Sequence, residues 1–301
     1  MNYTLHQLRV FQKVVDCRSI TKAAESLNMT QPAVSIQLKN LQEQFDMPIT
    51  ELLGRQLQIT DFGQELYQIA TKILEEVDFI DYRTKQYKGL LAGKLKISSV
   101  STGKYILPYF LKGFIDENEG VDIDIDVTNR REVVLSLEKN EVDFAIINVI
   151  PEHIELKDEI LMPNKLYLVG SGKTEDNTDI STLPLIHREE GSGTRLIMQR
   201  FFDLNKYNPK YRFQLRSNEA VKQAVIAGLG YSLLPLVSIK NELENGQIKI
   251  IEKDGIPIDN QWRLVYLKNK RLSPVAKAFL EYIQTNKMNI EEKFFSWIKK
   301  F

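Results

Sequence analysis

The hydrophobic pattern changes its period along the chain. In the first forty-five residues it is helical. Leu5, Leu8, Phe11, Val14 and Val15 share one face of a helix that follows Thr4, a candidate N-cap. Ser19 then caps a short helix, Ile20 to Leu27, in which Ala23, Ala24 and Leu27 are small or apolar. Asn28 and Met29 form a turn. Thr30 caps a third helix with Pro32 in its first turn, where a missing N–H costs nothing. Its inward face is expected to be Ala33, Val34, Leu38, Leu41 and Phe45. From Asp61, read as a cap, Phe62, Leu66, Ile69, Ile73, Val77 and Ile80 recur at helical spacing and form one stripe. Glu65, Lys72, Glu75, Glu76 and Asp78 occupy the outside.

After Gly89 and Gly93, which bracket a hinge, strands alternate with helices. Leu95, Ile97 and Val100 start a strand, and Tyr105 to Phe114 reads as a helix. Val121, Ile123, Ile125 and Val127 alternate with three aspartates, the pattern of a half-buried strand. Val133, Val134 and Leu137 lie on a helix, and Phe144 to Val149 is a continuous apolar run that suits a buried parallel strand. The order repeats after Leu166, with helices from Thr194 and Asn218 and strands at Phe213 and Tyr231. The expected architecture is α/β, built twice as two lobes around a cleft. The expected boundaries are 1–60, a linker helix 61–90, and 91–301. Within the last, lobe I takes about 91–165 and 268–301, and lobe II about 166–267.

Composition narrows the function. A chain of 301 residues suits two domains or more. Lys plus Arg number 40 and Asp plus Glu number 40, so the chain is neutral, unlike a histone-like packager. Cys17 stands alone, and His6, His153 and His187 are scattered, so no disulfide, zinc site or other cofactor is expected. Met1 to Val10 carries no secretory segment, and Val225 to Val237, with two Gly and a Pro, is too short to span a bilayer. A cytoplasmic chain without membrane contact is the expectation.

Candidate chemistry lies in two places. Two helices joined by a short turn, with Ala at their crossing, describe a helix-turn-helix. Thr30, Gln31, Pro32, Ser35, Ile36 and Lys39 would then face the major groove, with Gln31 able to read a base edge and Ser35 a phosphate. The same pattern also suits a plain capped bundle. The stripe of the long helix must be buried, against its own domain or against a second copy. In the α/β region, three turns lead into helices: Ser98 to Gly103, Gly191 to Arg195, and Ser217 to Glu219. Hydroxyls and N–H groups at helix starts suit a carboxylate, sulfate or phosphate ester, and also serve as ordinary caps. Catalysis is not expected: the sequence has no GxSxG, no Walker A and no metal cluster. Glu189 and Glu190 are expected to point apart into solvent, and Gly228-Leu229-Gly230 leads into a strand rather than a helix.

The segment SITKAAESLNMTQPAVSIQLKNLQEQF, Ser19 to Phe45, resembles the N-terminal signature of LysR-type transcriptional regulators. The flanking LHQLRVFQKVV and LLGRQLQITDFG match as well. The resemblance implies a winged helix-turn-helix with the wing near Leu53 to Ile59 and Arg55 reaching the minor groove. The implied DNA contacts are Ser19, Thr30, Gln31, Pro32, Ala33, Ser35, Ile36, Lys39 and Arg55. Two departures stand out. Ile36 occupies a position where the family often has Arg, and Arg55 is the single basic residue between Glu51 and Thr60. Residues 1–60 hold six basic and five acidic side chains, which predicts weak non-specific binding.

The resemblance continues through VSTGKYILPYFLKGF, TNRREVVLSLEKNEVDFAIIN, EEGSGTR and SNEAVKQAVIAGLG, phrases similar to the family's effector domain, and most to the regulators of the Calvin-cycle (RuBisCO) operon. It implies a periplasmic-binding-protein-like fold with effector contacts at Ser101, Thr102, Thr128, Asn148, Ser192 and Thr194. Arg195 either pairs with an anion or braces its helix through a carboxylate. The family also implies a homodimer through the linker helix, usually within a tetramer. The expected function is regulation of transcription by binding double-stranded DNA, modulated by a small anionic metabolite. A solute-binding module without DNA is the alternative. The resemblance ends near Gln284. Beyond it, Phe294, Phe295, Trp297, Ile298 and Phe301 read as an amphipathic helix that covers lobe I or meets another subunit.

Overall fold

The computed structural model describes residues 2–53, 56–86, 91–174 and 183–301. The chain divides into one unit, Met1–Gly89, and another, Leu90–Phe301.

In the first unit, α1 (Leu5–Cys17), α2 (Ile20–Ser26) and α3 (Gln31–Gln42) are followed by a hairpin of β1 (Thr50–Leu53) and β2 (Gln56–Ile59) and by α4 (Asp61–Gln86). Local chemistry sets the starts. Thr4 and Gln7 form a reciprocal capping box, with Thr4 Oγ1 accepting the Gln7 N–H at 3.2 Å and Gln7 Oε1 accepting the Thr4 N–H at 2.8 Å. Asn28 takes a left-handed conformation at φ 53, which turns the chain between α2 and α3. The α4 cap is Thr60 rather than Asp61: the Thr60 hydroxyl accepts the Gly63 N–H at 3.0 Å. Gly63 is required there, since a Cβ would lie 2.0 Å from the Ile49 carbonyl oxygen. Phe11, Val14, Ala23, Val34, Leu41 and Ile49 form the core together with Leu66, Ala70 and Leu74 of α4. Leu5 is exposed instead of buried, and Phe45 lies beyond the end of α3.

The second unit contains the two lobes. Lobe I holds β3 (Ala92–Val100), α5 (Leu107–Glu117), β4 (Gly120–Thr128), α6 (Arg130–Glu138), β5 (Phe144–Ile147) and β6 (Leu156–Pro163). Lobe II holds β7 (Leu166–Ser171), β8 (Pro184–Arg188), α7 (Gly193–Leu204), β9 (Lys210–Leu215), α8 (Asn218–Ile226), β10 (Ser232–Pro235), α9 (Lys240–Glu244) and β11 (Ile248–Ile250). The chain then returns to lobe I as β12 (Gln261–Leu267) and α10 (Pro274–Phe295).

The lobe I sheet runs β4-β3-β5-β12-β6. β3, β4 and β5 are parallel, whereas β12 runs against both its neighbours. The run at Phe144 is thus a buried strand of a mixed sheet. Lobe II repeats the plan: β8 and β9 are parallel, a Leu185–Tyr231 bridge joins β8 to the start of β10, and β7 lies antiparallel between β10 and β11. Two differences from the sequence reading follow. Residues 261–267 belong to the lobe I sheet, not to lobe II, because β12 pairs with β5 and β6. The helix expected from Tyr105 begins two residues later, as α5 at Leu107, after a 3-10 turn, Gly103–Tyr105.

Two crossings connect the lobes, and they bond to each other. The Asn164 N–H donates to the Asn260 carbonyl at 2.8 Å, and Leu166 and Ile258 exchange backbone bonds at 3.1 and 2.9 Å.

Candidate DNA-reading surface and effector site

The outer face of α3 carries most of the expected DNA contacts. Thr30 Oγ1 accepts the Ala33 N–H at 3.4 Å, and Ser19 Oγ accepts the Lys22 N–H at 3.3 Å. Each hydroxyl keeps its own O–H as an outward donor. Gln31 is exposed and its amide donates to Ser35 Oγ at 3.4 Å, a long bond that a better partner can replace. Pro32 is exposed, Ala33 is half-buried beside buried Val34, and Ile36 is 56% exposed among polar neighbours. Lys39 pairs with Glu43 at 3.8 Å on the surface, a weak contact that leaves the ammonium available. Arg55 lies outside the described residues.

The expected effector residues gather where strands end. Val100 is in register with Thr128, and Ser99 with Ile146, so Ser101, Thr128 and Asn148 follow or close three adjacent parallel strands. This is the edge of a parallel sheet that ligands use. Thr102 is buried on the turn beyond β3. Asn148 is 5% exposed, and neither its amide oxygen nor its amide nitrogen has a hydrogen-bond partner. A buried amide left so is costly unless a further group completes it.

Lobe II approaches the same edge. Ser192 caps α7 by accepting the Arg195 N–H at 3.5 Å, and Thr194 is buried in the first turn. Gly193 lies so close that a Cβ there would stand 2.5 Å from Asn148 Oδ1. The Arg131 N–H reaches the Gly191 carbonyl at 3.3 Å. Arg130, in the adjacent turn of α6, donates to the Val149 carbonyl at 2.8 Å, and burial, helped by nearby Arg200, lowers its pKa.

Sequence reasoning missed Arg188. Its guanidinium is 3% exposed and grips Glu189 twice, at 2.8 and 2.9 Å, while donating to Ser101 Oγ of the other lobe at 3.1 Å. Glu189 is accordingly buried, not solvated, and only Glu190 faces water. The available signal was an arginine two residues beyond the apolar run Pro184-Leu185-Ile186. Among the described contacts of Arg195 the partners are neutral rather than a carboxylate. It donates to Gln214 Oε1 at 2.7 Å and to the Arg188 carbonyl at 3.3 Å, so it braces α7 through neutral groups.

A second pair of buried polar groups faces across the lobes at α8. Ser217 caps that helix, and the amide of buried Asn218 lacks a hydrogen-bond partner, as does the Tyr105 hydroxyl of lobe I. Burial pushes the Tyr105 hydroxyl pKa up, and nearby Asn218 and Lys222 temper the rise. Burial pulls the Lys222 ammonium down, but Glu242 at 2.7 Å and Glu219 at 3.0 Å outweigh it and hold the pKa above its usual value. Among the described residues, no group of three His, Cys, Asp or Glu could hold a metal, and no helix is long and apolar enough to cross a membrane.

Comparison with known proteins places both units. Residues 5–64 match the family described as a bacterial regulatory helix-turn-helix protein, lysR family, and residues 88–287 match the LysR substrate binding domain. The RuBisCO operon transcriptional regulator of Allochromatium vinosum is 36% identical over 290 residues, 94% of this chain and 96% of that protein. The regulatory domain of Synechocystis PCC6803 CcmR, solved in complex with 2-PG, is 30% identical with a TM-score of 0.62, covering 65% of this chain and 98% of that one. A full-length OxyR variant from Pseudomonas aeruginosa is 19% identical with a TM-score of 0.69, covering 97% of this chain and 95% of that one, which speaks to the fold alone. The helix-turn-helix, the doubled α/β lobes and matches over most of the chain agree: this chain belongs to the LysR family of bacterial transcriptional regulators.

Proposed function

We propose that this regulator acts in the cytoplasm without catalysis, reading double-stranded DNA through α3 and the β1–β2 wing and responding to a small anionic metabolite held between the lobes. Ser19, Thr30, Gln31, Pro32, Ala33, Ser35, Ile36, Lys39 and Arg55 form the DNA set. Ser101, Thr102, Thr128, Asn148, Ser192 and Thr194 form the effector set, joined by Arg188. Arg195 positions α7. The observation that carries the effector reading is the buried, unpartnered Asn148 amide at three strand ends, opposite the first turn of α7. An amide donor, hydroxyls and a helix N-terminus suit oxyanion oxygens. The similar CcmR regulatory domain holds 2-PG, an anion, which makes that compound the first probe. The chain assembles as a homodimer through α4, and two dimers form a tetramer. The effector acts through unequal affinity for two arrangements of the lobes.

A footprint on the DNA upstream of the gene, with and without 2-PG, tests both halves. The expected result is protection over several helical turns that 2-PG shortens or shifts. Gln31→Ala should weaken binding to the protected site by about 1–3 kcal/mol while circular dichroism stays unchanged. Absence of protection at low salt removes the DNA role. Protection that 2-PG and other phosphorylated or carboxylic metabolites leave unmoved removes the anionic effector.

A further inference from the structure

The family match ends at residue 287, but α10 continues to Phe295 and passes into a 3-10 turn, Ser296–Lys300. This end of the chain bonds to both lobes. On lobe I, the Phe295 ring meets Tyr109 edge-on at 5.1 Å and lies parallel to Phe110 at 6.4 Å, and Phe294 lies 5.0 Å from Tyr109. Ile290, Phe295 and Ile298 are buried by this packing. On lobe II, the Lys240 ammonium stands 4.9 Å from the centre of the Trp297 ring, and the buried Tyr167 side chain donates its hydroxyl to the Phe301 carbonyl. Tyr167 belongs to β7, directly after the first crossing, and Lys240 opens α9.

Near the cleft the lobes also meet through the Arg188–Ser101 hydrogen bond at 3.1 Å, the Arg131 N–H to Gly191 carbonyl bond at 3.3 Å and an apolar cluster of Val149, Leu166 and Ile197. Two covalent crossings join the lobes, bonded side by side at Asn164–Asn260 and Leu166–Ile258. A bend at such a pair rotates one lobe about the other. Segment 290–301 is anchored by aromatic packing on one lobe and by a cation over a ring and a hydrogen bond on the other. Rotation of the lobes must break the second anchor or pull Phe295 from α5.

We propose that the C-terminal segment is a strap across the two lobes, which restrains rotation about the crossings and so raises the affinity of the cleft for its effector. The restraint itself stands on the geometry. Its effect on affinity rests on the effector reading above, because a ligand that selects one arrangement binds more tightly when that arrangement is already populated.

The test uses the full chain. Tyr167→Phe removes the hydroxyl and keeps the ring; Trp297→Ala removes the ring beneath Lys240. Hydrogen exchange is measured at the crossing amides of Asn164, Leu166 and Ile258, with β5 and the buried first half of α10 as internal references, and 2-PG is titrated by calorimetry. In the double variant, the crossing amides should exchange at least several-fold faster while the reference amides stay protected. The apparent Kd for 2-PG should rise by the same factor as the loss of the restrained population. Crossing amides that exchange as in the wild type overturn the strap. If the reference amides of the double variant also loosen, Tyr167→Phe alone decides by the same criterion. Faster crossing exchange with no heat from 2-PG even in the wild type supports the strap and counts against the effector reading.

Discussion

Arg188 ends β8 with its charge enclosed, clasped by the neighbouring carboxylate and in contact with a serine of the opposite lobe. A buried pair of this kind contributes little net stability, but half of it is expensive to keep. Arg188→Ala should therefore lower unfolding stability by about 3–5 kcal/mol, since Glu189 is left buried and unpaired. Arg188→Met with Glu189→Leu should recover most of the loss. Urea unfolding followed by circular dichroism measures both; a loss under about 1 kcal/mol for the single change would show that Glu189 reaches water or another donor. Neither role was legible in the sequence. Neighbouring charges usually point apart, as strand alternation demands, but β8 ends at Arg188 and the chain turns, bringing both side chains together. Asn148 was named through the family resemblance, and it directly follows an apolar strand. That its amide lacks a partner was not legible, since this depends on what the other lobe brings against it.

At the scale of elements, α4 separates what periodicity can and cannot tell. The spacing of Phe62, Leu66, Ile69, Ile73, Val77 and Ile80 announces an amphipathic helix, and a helix is there. It does not say which of two adjoining rows meets the helix's own domain. Leu66, Ala70 and Leu74, four residues apart, are the row that packs on α1, and the Thr71 hydroxyl accepts from the Gln12 amide at 3.0 Å on the same side. Ile69 is left 55% exposed, with Ile73 and Val77 half-buried beside it. One row of the helix thus meets its own domain, and the row at Ile69 is left open. Ile69→Lys should leave the fold intact and shift the chain toward monomer in sedimentation velocity, because a charge would have to be desolvated in the paired state. Unchanged association would move the dimer contact elsewhere.

For the whole molecule, two units can carry separate duties only if a change in one is silent in the other. Thr102 offers a clean trial, being buried and nearly isosteric with valine. Thr102→Val should abolish the response of the footprint to 2-PG while DNA affinity in its absence stays within about two-fold of the wild type, the effect expected of a site coupled only through ligand binding. A full 2-PG response in the variant would place the pocket elsewhere. The doubled α/β plan was readable from alternating strand and helix patterns. The lobe boundary was misplaced by one strand, because the alternation in Gln261–Leu267 suits either sheet and only pairing with β5 and β6 assigns it.

The uninterrupted course of α10 has a consequence for how this chain can vary. No linker separates the part that packs on the sheet from the part that carries Phe294 and Phe295. One residue inserted between Phe279 and Ile290 would swing everything beyond it by about 100° and carry Phe295 off α5. Exposed side chains of the helix, such as Met288 or Asn289, can change freely, while the number of residues cannot. The helix acts as a ruler with a fixed phase, and the position of the last aromatic residues is written in its length.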